Sequence, residues 1–209
     1  MVSIQSIFAK RQGLRLSIGI ASSASGLGAT HLCIALANYL ASKKGLKTAC
    51  LELGQADTFE DLKNNCTPGL FSAKTAAHRS FKIYDVDYYP NVKKEELATL
   101  SNAGYDILIF DFGVLTPSDL DEFCRCDKKL LLNSAAGWRR SELAAIFSTY
   151  PQIKTLEFIH FMILYGTRSD MHKIAKIHDL PLHRLRTIPF IQNPFHIAKE
   201  QFSFFEELI

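Results

Sequence analysis

No apolar stretch of this 209-residue chain is long enough to span a bilayer; the most hydrophobic one, around 158–165, is strand-length and interrupted by His160. The start, MVSIQSIFAKRQG, has no apolar core of the kind a secretory leader needs. Cysteine is sparse. The five residues are odd in number, with no C-x-x-C and no Cys/His zinc spacing, which argues against a disulfide framework or a zinc module. Cys33 and Cys50 lie in apolar runs and are expected in the core; Cys124 and Cys126 form a C-x-C expected to be ordinary half-buried residues rather than a redox pair. Tryptophan occurs once, and there is no repeat, low-complexity tract or evident linker. The net charge of +3 is too slight to argue for a nucleic-acid partner. With 47% hydrophobic and 22% charged residues, the expectation is one globular domain over 1–209 in a reduced cytoplasmic compartment.

What is present centres on residues 16–42, LSIGIASSASGLGATHLCIALANYLAS. Residues 16–21 are a short apolar run of the buried-strand type. Residues 22–28 are Ser, Ala, Gly and Leu, a small-residue turn. From 29 to 42 the apolar residues Leu32, Cys33, Leu36, Ala37 and Leu40 follow helical spacing. A strand, a tight loop and a helix aim backbone N–H groups and a helix N-terminus at an anion. The P-loop pattern G-x-x-x-x-G-K-[ST] is met only in part. Gly28 and Thr30 are in place, but Ser23 stands at the first glycine and Ala29 at the lysine. Taken alone, these residues equally describe a turn that starts a helix close to a sheet.

Strand and helix patterns then alternate. Strands are expected at 47–53, 81–86, 106–110, 129–133, 157–165 and 185–189. Helices are expected at 57–64 (capped by Asp57), 93–102, 118–124 (capped by Ser118), 140–150, 169–179 and 194–209, with loop over 65–79. Repeated βα units of this kind predict an α/β fold of three layers, a mostly parallel twisted sheet with helices on both faces. Ligands of such sheets bind beyond the carboxyl ends of the strands.

In this order of elements the chain resembles the MinD/ParA family of deviant P-loop ATPases over nearly its whole length. Ala24-Ser25-Gly26-Leu27-Gly28-Ala29-Thr30 aligns with that family's K-G-G-x-G-K-T. Glu52-Leu53-Gly54 aligns with its acidic pair after the second strand, and residues 105–111, YDILIFD, align with its Walker B strand. Ile188-Pro189-Phe190 matches a late I-P-[YF] turn. The resemblance implies a P-loop NTPase-like fold. It also marks departures. Ala29 and Ala24 replace the lysine of the chain's own phosphate site and the signature lysine that reaches a partner's nucleotide. Gly54 replaces the second acid, and Gly166-Thr167-Arg168 stands where the family reads adenine with Asn-Arg.

A charge-assisted hydrogen bond contributes about 1.5–3 kcal/mol, so losing two lysines implies about two to four decades in affinity or rate. Since phosphoryl transfer rests on electrostatic positioning, the resemblance implies a protein that does not hydrolyse ATP efficiently and has no catalytic residue. A retained nucleotide or anion site would comprise Gly26, Leu27, Gly28, Ala29, Thr30 and Asp111. ATP or ADP with magnesium would be low-affinity cofactors, with Thr30 and Asp111 the magnesium residues. Asp111 reads equally as a carboxylate bonded to loop N–H groups; Glu52 reads as a structural partner of loop N–H groups or of Thr30 in preference to a metal ligand.

The expected role is a scaffold or positioning factor, acting as a homodimer or docked on a larger assembly. The nearest likeness is to TadZ/CpaE-type proteins of pilus and secretion systems, whose receiver-like N-terminal domain has no counterpart in these 209 residues. Two alternatives stand: an ATPase that borrows Lys43, Lys44 or Arg139 from a partner chain, and a ParA-like DNA-binding partition protein. Trp138, Arg139 and Arg140 are the candidate interface. The His183-Arg184-Leu185-Arg186 cluster is thin for phosphate backbone and reads as a solvated face. Phe202, Phe204, Phe205, Leu208 and Ile209 are expected to pack on the sheet, because the glutamates between them are the wrong sign for anionic lipid. Met1, Ile4, Ile7 and Phe8 with Lys10 and Arg11 are the better candidate for peripheral contact with the inner face of a membrane.

Overall fold

The computed structural model describes residues 15–54, 57–65 and 80–209. The candidate amphipathic start, Cys66 and, apart from Asn65, the loop expected over 65–79 lie outside the described residues. Among the described residues, eight strands form one sheet: β1 (Leu16–Ser22), β2 (Thr48–Glu52), β3 (Phe81–Ile83), β4 (Val86–Tyr89), β5 (Ile107–Val114), β6 (Lys128–Ser134), β7 (Ile159–Leu164) and β8 (Leu185–Thr187). Their order is β3-β4-β2-β5-β1-β6-β7-β8, and only the β3–β4 pair is antiparallel. The central strands are apolar on both sides, as a sheet covered on both faces requires.

The pleat divides the core. Ile18, Ile20, Cys50, Ile107, Ile109, Leu130, Leu132 and Met162 face one apolar layer, while Ala49, Leu51, Leu108, Phe110, Leu131, Phe161 and Ile163 face the other. The first layer is closed by α1 (Ala29–Lys44), α2 (Thr58–Asn65) and α7 (Phe202–Leu208). The second is closed by α3 (Lys94–Ser101), α4 (Leu120–Arg125), α5 (Arg140–Thr149) and α6 (Arg168–His178). Helix α1 is buried along most of its length and stops at Gly45, whose left-handed φ of 65° lets its N–H reach the Ala41 carbonyl. Among the described residues, no helix is long and apolar enough to cross a membrane. Cys33 and Cys50 are buried as expected; Cys124 is half-buried, and Cys126 is fully buried against β1.

Three elements differ from the sequence expectation. The strand expected over 81–86 is a hairpin, with Tyr84 and Asp85 as a two-residue turn and Tyr84 at φ 51°. Its sign in the sequence is the slip from apolar 81 and 83 to apolar 86 and 88, which brings Phe81 opposite Tyr88 with ring centroids 5.4 Å apart. The helix expected over 194–209 begins only at Phe202, after a short 3-10 turn. Upstream, the Asn193 side chain accepts the Phe195 N–H at 2.9 Å and holds a turn instead. Helix α4 has Asp119 rather than Ser118 at its N-cap position, and the Asp119 carboxylate makes no capping bond but accepts the Thr116 hydroxyl, which also meets the Ser118 hydroxyl. The phenylalanines of α7 join the first apolar layer, expected against the sheet but stacked on α1: Phe205 is fully buried, with its ring 5.0 Å from Tyr39.

Close packing of α4 on β1 depends on Gly19. A Cβ there would meet Cys126 Sγ at 2.8 Å and Phe123 at 3.1 Å, whereas one at Gly137 would meet nothing within 4 Å. Gly19→Ala should therefore cost about 1–3 kcal/mol. Gly137→Ala should leave stability within about 0.5 kcal/mol. Urea denaturation of both variants distinguishes this close approach from a general effect of glycine replacement.

Candidate functional site

The loop between β1 and α1 sits beyond the carboxyl end of the sheet. Gly26 and Gly28 have φ of 74° and 81°, values that glycine reaches without strain. Gly28 caps α1, its carbonyl accepting the Leu32 N–H at 2.9 Å, and the Ser23 N–H is tied to the Leu132 carbonyl of β6 at 2.9 Å. Leu27 and Ala29 point into the core and are 1% and 5% exposed. This places the α1 N-terminus, with its unpaired N–H groups, at the mouth of the loop, a geometry suited to weak anion binding.

Asp111 lies beside it on β5 and is 2% exposed. Its carboxylate accepts the Gly113 N–H at 3.0 Å, and the Thr30 hydroxyl and the Cys33 thiol lie close enough to influence it. Burial is the main influence on this carboxyl and raises its pKa above the ordinary 3.8; these three groups oppose the rise, and all are neutral. Directly across the sheet, in register with Asp111, is Glu52 on β2. It is 1% exposed, and one of its oxygens accepts the Thr58 and Phe59 N–H groups at 2.7 and 3.2 Å. Glu52 therefore caps the start of α2, the structural partnership expected for it; Asp57, expected in that role, instead accepts the Asn91 side-chain amide at 2.7 Å. Burial likewise raises the Glu52 pKa, and the nearby Asp111 charge adds to the rise.

Past Asp111 the pairing of β1 with β5 slips by one residue, so that Ala21 faces Gly113, and Gly113 turns through φ 60°. The bulge presses the Phe112 backbone onto Gly54. A Cβ at Gly54 would lie 2.9 Å from the Phe112 carbonyl oxygen, and the Leu53 and Gly54 N–H groups both bond the Asp111 carbonyl, at 2.8 and 3.1 Å. An acidic side chain at position 54 has no room. The 22–28 loop thus turns backbone N–H groups towards its mouth, and the closed backbone at Gly54 leaves no space for a second acid beside Asp111.

Two contacts were not legible in the motifs. Arg139, two residues before Ser141 in the turn after β6, donates from Nη2 to the Ser25 carbonyl at 2.8 Å and from Nε to Glu142 at 2.8 Å. The guanidinium is therefore a tether on the loop within its own chain. Its neighbours differ: Trp138 is 86% exposed, and Arg140 opens α5 on the surface. His31 Nε2 donates to the Ile191 carbonyl at 2.8 Å and draws the segment after β8 over α1. Between that segment and the loop is an apolar hollow of about 240 Å³, bounded by Leu27, Gly28, His31, Tyr165, Pro189 and Phe190. The Gly166-Thr167-Arg168 turn does not face this hollow; Thr167 caps α6, and Arg168 and His172 line an open groove with His183 and Arg186.

The raised carboxyl pKa values make stability depend on pH in a defined sense. A folded-state pKa above the unfolded one means that the native state holds extra protons between the two values. This contribution is greatest below about 3.8 and is lost as pH rises through the raised pKa of Asp111. Asp111→Asn should flatten this decline, its stability rising relative to wild type between pH 4 and pH 8 in urea titrations. A parallel pH dependence in the two proteins would contradict the assignment.

No protein-family model matches the chain, and no curated protein matches it in sequence. Its fold does have solved counterparts. A putative plasmid partition protein from Borrelia burgdorferi, bound to AMPPNP, matches with a TM-score of 0.61 at 16% identity, over 94% of this chain and 97% of that one. A ParA family ATPase from Chlorobium tepidum matches at 0.60 and 12% identity, over 93% and 91%. The MinD cell division protein of Aquifex aeolicus matches at 0.60 and 15% identity, over 92% and 86%. At such identities the likeness is one of architecture: the chain has the α/β P-loop NTPase fold of ParA and MinD proteins.

Proposed function

We propose that this chain is a MinD/ParA-like protein with a degenerate P-loop, which does not hydrolyse ATP and acts as a scaffold or positioning factor through protein–protein contacts. The observation that carries the reading is the state of Asp111. At the position where an active relative holds magnesium, its carboxylate is buried and accepts the Gly113 N–H, with Ala29 and Ala24 at the lysine positions of the adjoining loop. The closed backbone at Gly54 supports the same reading, since it leaves no space for the second acid. A role in positioning pilus or secretion machinery, as in TadZ/CpaE-type proteins, is the specific form we favour. The domain as a whole, 1–209, would serve as the docking unit. The Aquifex MinD was also solved as a MinC:MinD complex, which supports a protein partner as the business of such a fold.

A second reading keeps nucleotide binding without cleavage. It is favoured by the apolar hollow beside Gly28, flanked by Tyr165 and Phe190, which are 84% and 85% exposed. Ring stacking there would act on the base, independently of the lost lysines.

Calorimetric titration with magnesium–ATP, followed by phosphate release, tests both. The expected outcome is binding no tighter than about 0.1 mM, in line with the loss of two charge-assisted bonds, and no phosphate release above background. Phosphate release by the wild-type chain that disappears in Asp111→Ala would overturn the scaffold reading.

A further inference from the structure

We propose that Arg139 is a conformational latch that couples the exposed turn carrying Trp138 to the 22–28 loop, holding one peptide of that loop in one of its two orientations. Residues Gly137–Arg139 form a single 3-10 turn whose successive side chains part company. Trp138 is exposed, whereas the Arg139 side chain is half-buried between two elements. Its Nη2 donates to the Ser25 carbonyl at 2.8 Å, and its Nε lies 2.8 and 3.0 Å from the two oxygens of Glu142 on α5. Among the described residues, this is the one hydrogen bond that reaches 24–27 from another element. The loop is otherwise tied at its ends, by the Ser22 hydroxyl on the Gly113 carbonyl, the Ser23 N–H on Leu132 and the Gly28 carbonyl under Leu32. Between those ties Ser25 and Gly26 are exposed and form a turn, with Gly26 at φ 74° and Ser25 outside the left-handed region. That combination is the type II turn, and the Ser25 carbonyl belongs to its central peptide. Types I and II differ by a half-rotation of this peptide, which exchanges its carbonyl and N–H, and glycine at the third position permits both. The guanidinium can accept only the orientation that presents the carbonyl.

The two ends of the latch are unequal. Glu142 offers a full charge and Ser25 only a carbonyl dipole, and the ion pair is the firmer of the two. Displacing the turn therefore takes the guanidinium off Ser25 and leaves it on Glu142. The turn has little slack with which to absorb a push on the indole. Its Ala135 N–H is bonded to the Leu164 carbonyl at 3.0 Å, the Ala136 N–H to Ser134 Oγ at 3.1 Å, and the Arg139 N–H to the Ala136 carbonyl at 2.9 Å. A partner that buries Trp138 thus acts on the neighbouring Arg139, and a change in the loop acts back on Trp138, since such coupling is reciprocal. This rests on the scaffold reading only in taking the Trp138 turn as a partner's landing place; the coupling itself lies within one chain.

The test is nuclear magnetic resonance on the full nitrogen-15-labelled chain, without nucleotide or partner. The single tryptophan gives one indole N–H signal, and the amides of Ser25 and Gly26 report the loop. In wild type their order parameters should stand near the rigid value of about 0.85, and in Arg139→Gln they should fall below about 0.6. Arg139→Lys keeps the charge and the Glu142 pair but cannot span both partners, so it should loosen the loop in the same way; it supplies the reading where Arg139→Gln folds poorly. Gly26→Ala disfavours the positive φ of the latched turn, and nothing lies within 4 Å of the added Cβ, so its effect is conformational rather than steric. It should move the indole signal in wild type and leave it in place in either Arg139 variant. Loop order unchanged by both Arg139 substitutions, or an indole shift on Gly26→Ala of equal size with and without Arg139, would each overturn the proposal. Neither readout involves ATP turnover or a bound partner, so the latch and the scaffold reading fail separately.

Discussion

The structure turns on the burial of two carboxylates, Glu52 and Asp111, side by side at the carboxyl ends of adjacent parallel strands. A buried carboxylate needs hydrogen bonds or a cation, and the free energy of leaving it without either is several kcal/mol. Here the donors are backbone groups: the α2 N-terminus for Glu52 and the Gly113 N–H for Asp111, with the Thr30 hydroxyl and the Cys33 thiol close by. That solution fixes much around it. It orients the first turn of α1, holds the start of α2 against the sheet, and places the bulge in β5 that brings Phe112 onto Gly54. Metal chemistry would require the same oxygens to face an ion and its water shell.

The architecture was legible because it is written in periodicity. Buried strands such as those at β2 and β5 are continuous apolar runs, and α1 ends at a lysine pair and glycine that serve as its stop. The hairpin of β3 and β4 was not read because its turn, Tyr84-Asp85, contains neither glycine nor asparagine, and only the phase of the apolar residues marks it. The C-terminal helix was read too long because an Asn-Pro step can begin a helix or a turn, and the Asn193 side chain settles on the turn.

The site was legible only in part. The spacing of Gly26, Gly28 and Thr30 located the loop, and the two alanines showed what it lacks. The role of Glu52 followed from its position after a strand and before a helix. By contrast, the Arg139 bond to Ser25 joins residues 114 positions apart, and no local pattern encodes it. The same holds for His31 and Ile191, and for the clash that forbids a side chain at Gly54. Such contacts belong to tertiary packing. They also shift the meaning of the Trp138-Arg139-Arg140 triplet: one member is committed to the loop, while its neighbours face outward.

On the reading proposed for this chain, it keeps the P-loop NTPase fold while its outer surface carries the role. The most direct measurement of that claim is a crystal structure grown in magnesium and a non-hydrolysable ATP analogue. The account predicts Asp111 still bonded to Gly113, with no ordered metal between it and the loop. A fully occupied triphosphate over Gly28, with magnesium held by Thr30 and by a water on Asp111, would contradict it.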